Sequence, residues 1–450
     1  MPIERQNRRL LTSPILEGLI LVAVAPWLLF PTQAPLVTAI ALVVIALLWL
    51  WPWLKRQEPF RPTPFNGALL FFEIAILVGI VVTADPDLTL PKATGVVLGL
   101  TTWRYIVMTV RDKSTLSKAT AIFLLVGLGF IALGILGADW RIKLPYFESL
   151  LRRLPSQLVT LPESPEQGVQ TNQLAAILLF YLPVILSLVI GWRSGRRQKP
   201  AIIILPVVLA TTGALLLLTQ SRSGYIGALF GVAAALLMWA LTLQPSRKRT
   251  AVRLSLLALI FICLIALISI GPERLGNIWD EPAQETAIGN LGTINFRFEV
   301  WQWALVAIQD FPFTGTGLGT FRQVVHRLYP IDVQPGSDIA HAHNIFLQMG
   351  LDTGLPGLIA YLSILIIAFT GGWRTAKQDS ELRPLSIGLL ASLVAFHVYG
   401  MTDALALGSK PGLILWIMLG LLAAMERLSR PEQFASKLSN TVEDAPLEGE

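Results

Sequence analysis

Apolar runs long enough to cross a bilayer recur along the whole chain. A helix that spans the hydrocarbon needs ~20 predominantly apolar residues. Runs of suitable length fall near residues 15–31, 36–54, 66–83, 90–110, 119–138, 172–192, 201–219, 224–243, 254–271, 355–373, 385–402 and 411–426. The fourth run is the least apolar, since it holds Arg104 and several threonines. The pattern predicts an all-α polytopic membrane protein with about twelve transmembrane helices.

Charge tests this layout, because short cytoplasmic segments are enriched in Lys and Arg. With the N-terminus inside, the inner segments collect 23 of the 35 Lys and Arg, while the short outer turns hold only Lys92, Arg222 and Lys410. Both termini are therefore expected in the cytoplasm. The first run follows Arg5, Arg8 and Arg9, has no small-residue cleavage site after it, and reads as a retained helix.

The runs divide the chain. Residues 1–271 carry the first nine crossings, with a Pro-rich outer loop at 139–171. Residues 272–354 form a large, helical extracytoplasmic loop, 355–427 the last three crossings, and 428–450 a polar tail expected to be disordered.

Composition narrows the class. The chain is 54% hydrophobic and 14% charged, whereas soluble domains carry roughly 25% charged residues, so the bilayer must solvate most of it. One cysteine, Cys263, excludes an internal disulfide and any cysteine-based metal site. The pI near 9.5 does not indicate nucleic acid, because the basic residues are dispersed between apolar runs.

The unusual residues concentrate in the 272–354 loop. Residues 295–309, with Arg297, read as an amphipathic helix at the membrane surface. Gly315, Gly317 and Gly319 alternate in the stretch that follows. They fit either a flexible turn or a backbone cradle for an anion. A short helix then carries Phe321, Val324, Val325 and Leu328 on one face, with Arg322 and His326 on the other. Tyr329-Pro330 and His341-Ala-His343-Asn344 follow, leading into the tenth crossing. Imidazole titrates near neutrality, so a general base at the membrane boundary is the favoured reading of the histidines. Structural histidines remain open, and a metal site would lack further ligands of recognisable spacing.

A second outer signal is the tight turn Ser221-Arg222-Ser223-Gly224. A guanidinium held at or below the surface there needs an anion, either a carboxylate or a phosphate. Inside the membrane, Glu73 and Arg104 are expected to pair. Asp85-Pro-Asp87 has the spacing of a metal–diphosphate motif, on only three residues. His397 and Asp403 approach the outer end of the eleventh crossing, in packing or substrate contact.

At Ser221–Gly224, the 295–321 stretch, Tyr329-Pro330 and the 341–357 stretch, the chain resembles the O-antigen ligase/polymerase superfamily of bacterial envelope proteins. His343, Asn344 and Gly354, the glycine ten residues after the Asn, are the most diagnostic match; the first 200 residues match only in hydropathy. The resemblance implies a GT-C-like membrane glycosyltransferase of the bacterial inner membrane, metal-independent and inverting, with no cofactor. The donor would be a glycan on polyprenyl pyrophosphate, and the acceptor a hydroxyl of lipid A–core or of another glycan. Arg222 and Arg297 would hold the pyrophosphate, with Arg322 added from the loop. His343 would be the base and His341 would orient it. Ser221, Asn344, the three glycines and Tyr329 would support the site. A polymerase of the same superfamily shares these motifs. A membrane transporter, such as an inorganic-carbon accumulation protein, is the rival from another class, although transporters place polar groups near the midplane.

Overall fold

The computed structural model describes residues 14–54, 61–138, 140, 148–153, 169–191, 199–270, 292–332, 339–405 and 407–430. Most of the 139–171 loop, residues 271–291 and the tail beyond Arg430 lie outside the described residues.

Among the described residues there are fifteen helices and no strand. They are α1 (Pro14–Leu29), α2 (Pro35–Leu54), α3 (Asn66–Val81), α4 (Pro86–Thr109), α5 (Lys113–Gly137), the single turn α6 (Glu148–Leu151), α7 (Thr171–Gly191) and α8 (Lys199–Leu218). There follow α9 (Arg222–Thr242), α10 (Arg247–Ile270), α11 (Gly292–Asp310), α12 (Phe321–Leu328), α13 (Ile345–Gln378), α14 (Arg383–Gly400) and α15 (Gly412–Ser429). Each of the twelve apolar runs is a helix. By length and composition, six can cross a membrane (α2, α5, α7, α9, α13 and α15), and α1, α3 and Ile204–Leu218 of α8 are shorter apolar helices. The protein is an all-α polytopic membrane protein.

The helices sort by what their side chains meet. α14 is buried along most of its length and packs against α7 and α9. Gly227 and Gly231 of α9 face Ala391 and Ala395 of α14, so the two backbones approach closely, the packing that apolar solvent favours. α15 lies on α4, α13 on α3, and α1 on α4. The outward faces of α1, α2 and α10 expose Ile15, Leu19, Ile40, Val43, Phe261 and Ile262, as a lipid-facing surface requires. α11, α12 and the start of α13 enclose a separate small core around Phe296, Val300, Phe321, Val325 and Ile339.

One expectation is corrected and three are refined. Arg104 pairs with Glu17 of α1, not with Glu73, because α4 turns that face to α1 while α3 packs mainly on α13. Asp85-Pro-Asp87 is a helix start: the Asp85 carboxylate accepts from the N–H groups of Asp87 and Leu88, with Pro86 in the first turn. Leu328 is exposed, so only Phe321, Val324 and Val325 form the buried face of α12. Residues 345–353 are helical up to the break at Gly354, so the 272–354 loop ends in a helical segment.

Candidate active site

The site is built around the first ten residues of α13. Asn344 caps that helix: its Oδ1 accepts from the N–H groups of Phe346 (2.9 Å) and Leu347 (3.2 Å), while its Nδ2 donates to the Met401 carbonyl beyond α14 (3.3 Å). Gly354 interrupts the helix with φ 68 and ψ −177, backbone that only glycine adopts without strain. The interruption frees one donor and one acceptor, and the glycine loop takes both. Leu355 N–H donates to the Pro312 carbonyl (2.7 Å), and the Leu351 carbonyl accepts from Thr316 N–H (2.6 Å). The His-Asn and Gly signature therefore marks the two ends of one docked segment.

Gly315, Gly317 and Gly319 all have positive φ, between 66 and 101. A Cβ on Gly317 would lie 2.6 Å from the Thr83 Cα. Their amides also face the protein: Gly315 N–H donates to the Phe311 carbonyl (3.0 Å) and Gly319 N–H to Asp352 Oδ1 (2.9 Å). Of the two sequence readings, a packed turn is the one these contacts favour over an anion cradle.

A polar strut ties this turn to the histidines. The Asp352 carboxylate that holds Gly319 also accepts from Gln348 Nε2 (2.7 Å), and Gln348 Oε1 accepts from Ala342 N–H (2.9 Å). Ala342 sits between His341 and His343, so the segment carrying both rings is fixed from beneath. His343 takes φ 48, an uncommon value for a residue with a side chain.

The rings lie 4.3 Å apart, centroid to centroid, with the edge of Phe296 against His343. His343 N–H donates to His341 Nδ1 (3.1 Å). Neutral His341 therefore carries its proton on Nε2, which faces Asp403 Oδ1 at 3.5 Å. His343 Nδ1 lies 4.0 Å from the same oxygen, and it is buried with no hydrogen bond to a described residue. Asp403 is held by Tyr399, whose hydroxyl donates to Oδ2 (2.9 Å). Burial lowers the pKa of both imidazoles; for His343 the neighbouring His341 and Arg297 push further down, while for His341 Asp403 opposes the shift. Both rings are therefore neutral near pH 7.

His341, His343 and Asp403 could donate three ligand atoms within 4.8 Å of one another to a metal ion. Their surroundings argue against one, since Lys92, Arg297 and Arg322 all bear on His341 electrostatically. Three cations bearing on one ring favour an anion there.

The other sequence candidates divide. Arg297 and Arg322 reach the electrostatic neighbourhood of the histidines. Arg222 opens α9 and its side chain is exposed. Ser221 and Gly224 of its turn are buried, and Ser221, the helix cap, accepts from Gly224 N–H (3.2 Å). The turn is joined to the site by Thr402, whose hydroxyl donates to Ser223 Oγ (2.8 Å) one residue before Asp403. Tyr329 does not join the imidazoles. Its hydroxyl donates to Asp310 Oδ2 (2.8 Å) and its ring stacks on Trp303, bracing α12 against α11. Asp403, named above only for packing or contact, proves central, and Gln348, Asp352 and Lys92 gave no signal of spacing. The legible hint was polarity alone: an acid at the end of an apolar run.

The family model described as O-antigen ligase matches residues 207–362. An O-antigen ligase from Pseudomonas aeruginosa is 29% identical over 233 residues, covering 51% of this chain and 49% of that protein. Over these residues the chain is similar to the O-antigen ligase superfamily. It spans about half the length of the curated relative it matches. The superfamily match includes Arg222, Arg297, the glycine loop and both histidines, but ends before Asp403 and begins long after Lys92.

Proposed function

We propose that this protein transfers a glycan from polyprenyl pyrophosphate to an acceptor hydroxyl at the outer face of the bacterial inner membrane. The observation that carries the reading is a pair of partly buried, neutral imidazoles sharing one carboxylate beside several cations.

The chemistry follows from these groups. Arg222, Arg297 and Arg322 neutralise the pyrophosphate, which is then a good leaving group without a metal ion. His343 carries its proton on Nδ1, toward Asp403, which leaves Nε2 as the base. The acceptor oxygen attacks the anomeric carbon and its proton passes to Nε2. The bond from that carbon to the phosphate oxygen breaks with its electron pair leaving on the pyrophosphate. One base and no protein nucleophile give inversion at the anomeric centre. His341 accepts the His343 N–H and shares Asp403, so it orients the base rather than serving as one. A ligase and a polymerase would use this same arrangement and differ in the acceptor, lipid A–core or a growing glycan. Twelve crossings with both termini cytoplasmic put the site on the outer side.

The test is complementation in the source organism with H343A and R222A, after both are shown to reach the membrane at wild-type level. Loss of mature glycan with accumulation of the lipid-linked precursor supports the transferase. Accumulated long chains then mean failed ligation, and single units mean failed polymerisation. Wild-type behaviour of both variants would overturn the assignment and bring the transporter forward.

A further inference from the structure

We propose that Lys92, in the N-terminal half of the chain, is a binding residue for the departing pyrophosphate and supplies the cation for the charge that appears when the glycosidic bond breaks. The inference rests on the transferase reading.

Lys92 lies in the second turn of α4, outside the region shared with the superfamily model. Its stem runs along the glycine loop: a Cβ built on Gly319 would meet Lys92 Cγ at 3.2 Å and Cε at 3.6 Å. On the other side its backbone abuts Gly408, in the segment between α14 and α15. Two glycines thus make room for one lysine where three distant parts of the chain converge. The ammonium makes no hydrogen bond or ion pair with a described residue. It nevertheless lies within electrostatic range of Asp352 and Arg322, and of His341 above. The Asp352 carboxylate is already engaged by Gly319 N–H and Gln348, so it needs no ammonium to satisfy its hydrogen bonds. A half-buried cation without an acceptor, in range of the ring that orients the proposed base, is placed to meet an anion.

Charge counting says which anion. A glycosyl pyrophosphate diester carries two negative charges, and cleavage of the carbon–oxygen bond leaves the electron pair, and a third charge, on the phosphate. A cation whose partner appears only as the bond breaks accelerates the chemical step more than it tightens the ground state.

The experiment uses the full chain in lipid nanodiscs, with polyprenyl diphosphate and polyprenyl monophosphate as probes, on wild type, K92M and K92R. Wild type should prefer the diphosphate. K92M should lose about tenfold of that affinity and K92R should retain most of it. In turnover, K92M should lower kcat roughly 10²-fold with a smaller change in KM. Equal diphosphate affinity of wild type and K92M would overturn the role of Lys92 and leave the site reading intact; a wild type with no preference for diphosphate would overturn the site reading itself. Should K92M not fold, acylation of Lys92 in wild type by an amine-reactive probe decides. Slowing by polyprenyl diphosphate supports the proposal, and an unchanged rate sinks it. If Lys92 serves only as counter-ion to Asp352, K92M and D352N would both lower the ligand-free melting temperature and leave diphosphate affinity unchanged, which also overturns the proposal.

Discussion

At the scale of single residues, the site depends on imidazoles kept neutral by burial. The proton-accepting form of His343 persists to more acid pH than for a free side chain, because desolvation, His341 and Arg297 all disfavour its charge. Transfer activity is therefore expected to stay level through neutral pH and to fall only below the ordinary imidazole value of about 6.5. A pH profile of kcat/KM checks this, and an acid limb well above that value would contradict it. Asp403 lies against both imidazoles, so D403N should lower the rate. The same variant made at Asp310, which only braces Tyr329, should leave the profile in place. The crowded polar residues at the edge of an apolar run pointed to His341 and His343, while the pyrophosphate role of Arg297 came from the resemblance. Asp403 is 60 residues beyond His343, and no local pattern connects them.

Among elements, the decisive feature is the docked first segment of α13. Asn344 caps it and Gly354 ends it, while the glycine loop accepts what the interruption exposes. N344A removes two accepted N–H bonds and is expected to cost about 1 kcal/mol, measured as a lower melting temperature, together with a loss of activity from loosened His343. G317A forces a Cβ into the Thr83 backbone at φ 101 and should cost more than about 1 kcal/mol. If G317A melts like wild type, the loop is not packed as described. The sequence showed glycines at alternate positions but left open whether they served a ligand or the chain itself. That answer needed the partners, Thr83, Leu351 and Asp352, which lie on other segments of the chain.

For the whole molecule, intramembrane charges report which helices are neighbours. Arg104 and Glu17 are both buried, at 3% and 11% side-chain exposure. Removing one partner of a buried pair strands the other and costs about 3–5 kcal/mol. E17L is thus expected to reduce the folded, membrane-inserted yield sharply, E17L/R104L to recover most of it, and E73L to behave independently of Arg104. Rescue of R104L by E73L instead of E17L would contradict the arrangement of α1 against α4. The proposed twelve crossings predict the same side for both termini, which reporter fusions at each end can check.

What the sequence alone determined is the part governed by the bilayer: apolar length and periodicity place all twelve helices, because hydrocarbon solvent forces each backbone to satisfy itself within its own segment. The local signals Asn344, Gly354 and Ser221 were also legible, since caps and breaks are set by neighbouring residues. Tertiary structure alone decided the Glu17–Arg104 pair, the burial of the glycine loop, and the meeting of Asp403 and Lys92 with the histidines. Those contacts join segments up to about 250 residues apart in sequence, and their geometry depends on which helix faces turn toward one another, which hydropathy does not encode.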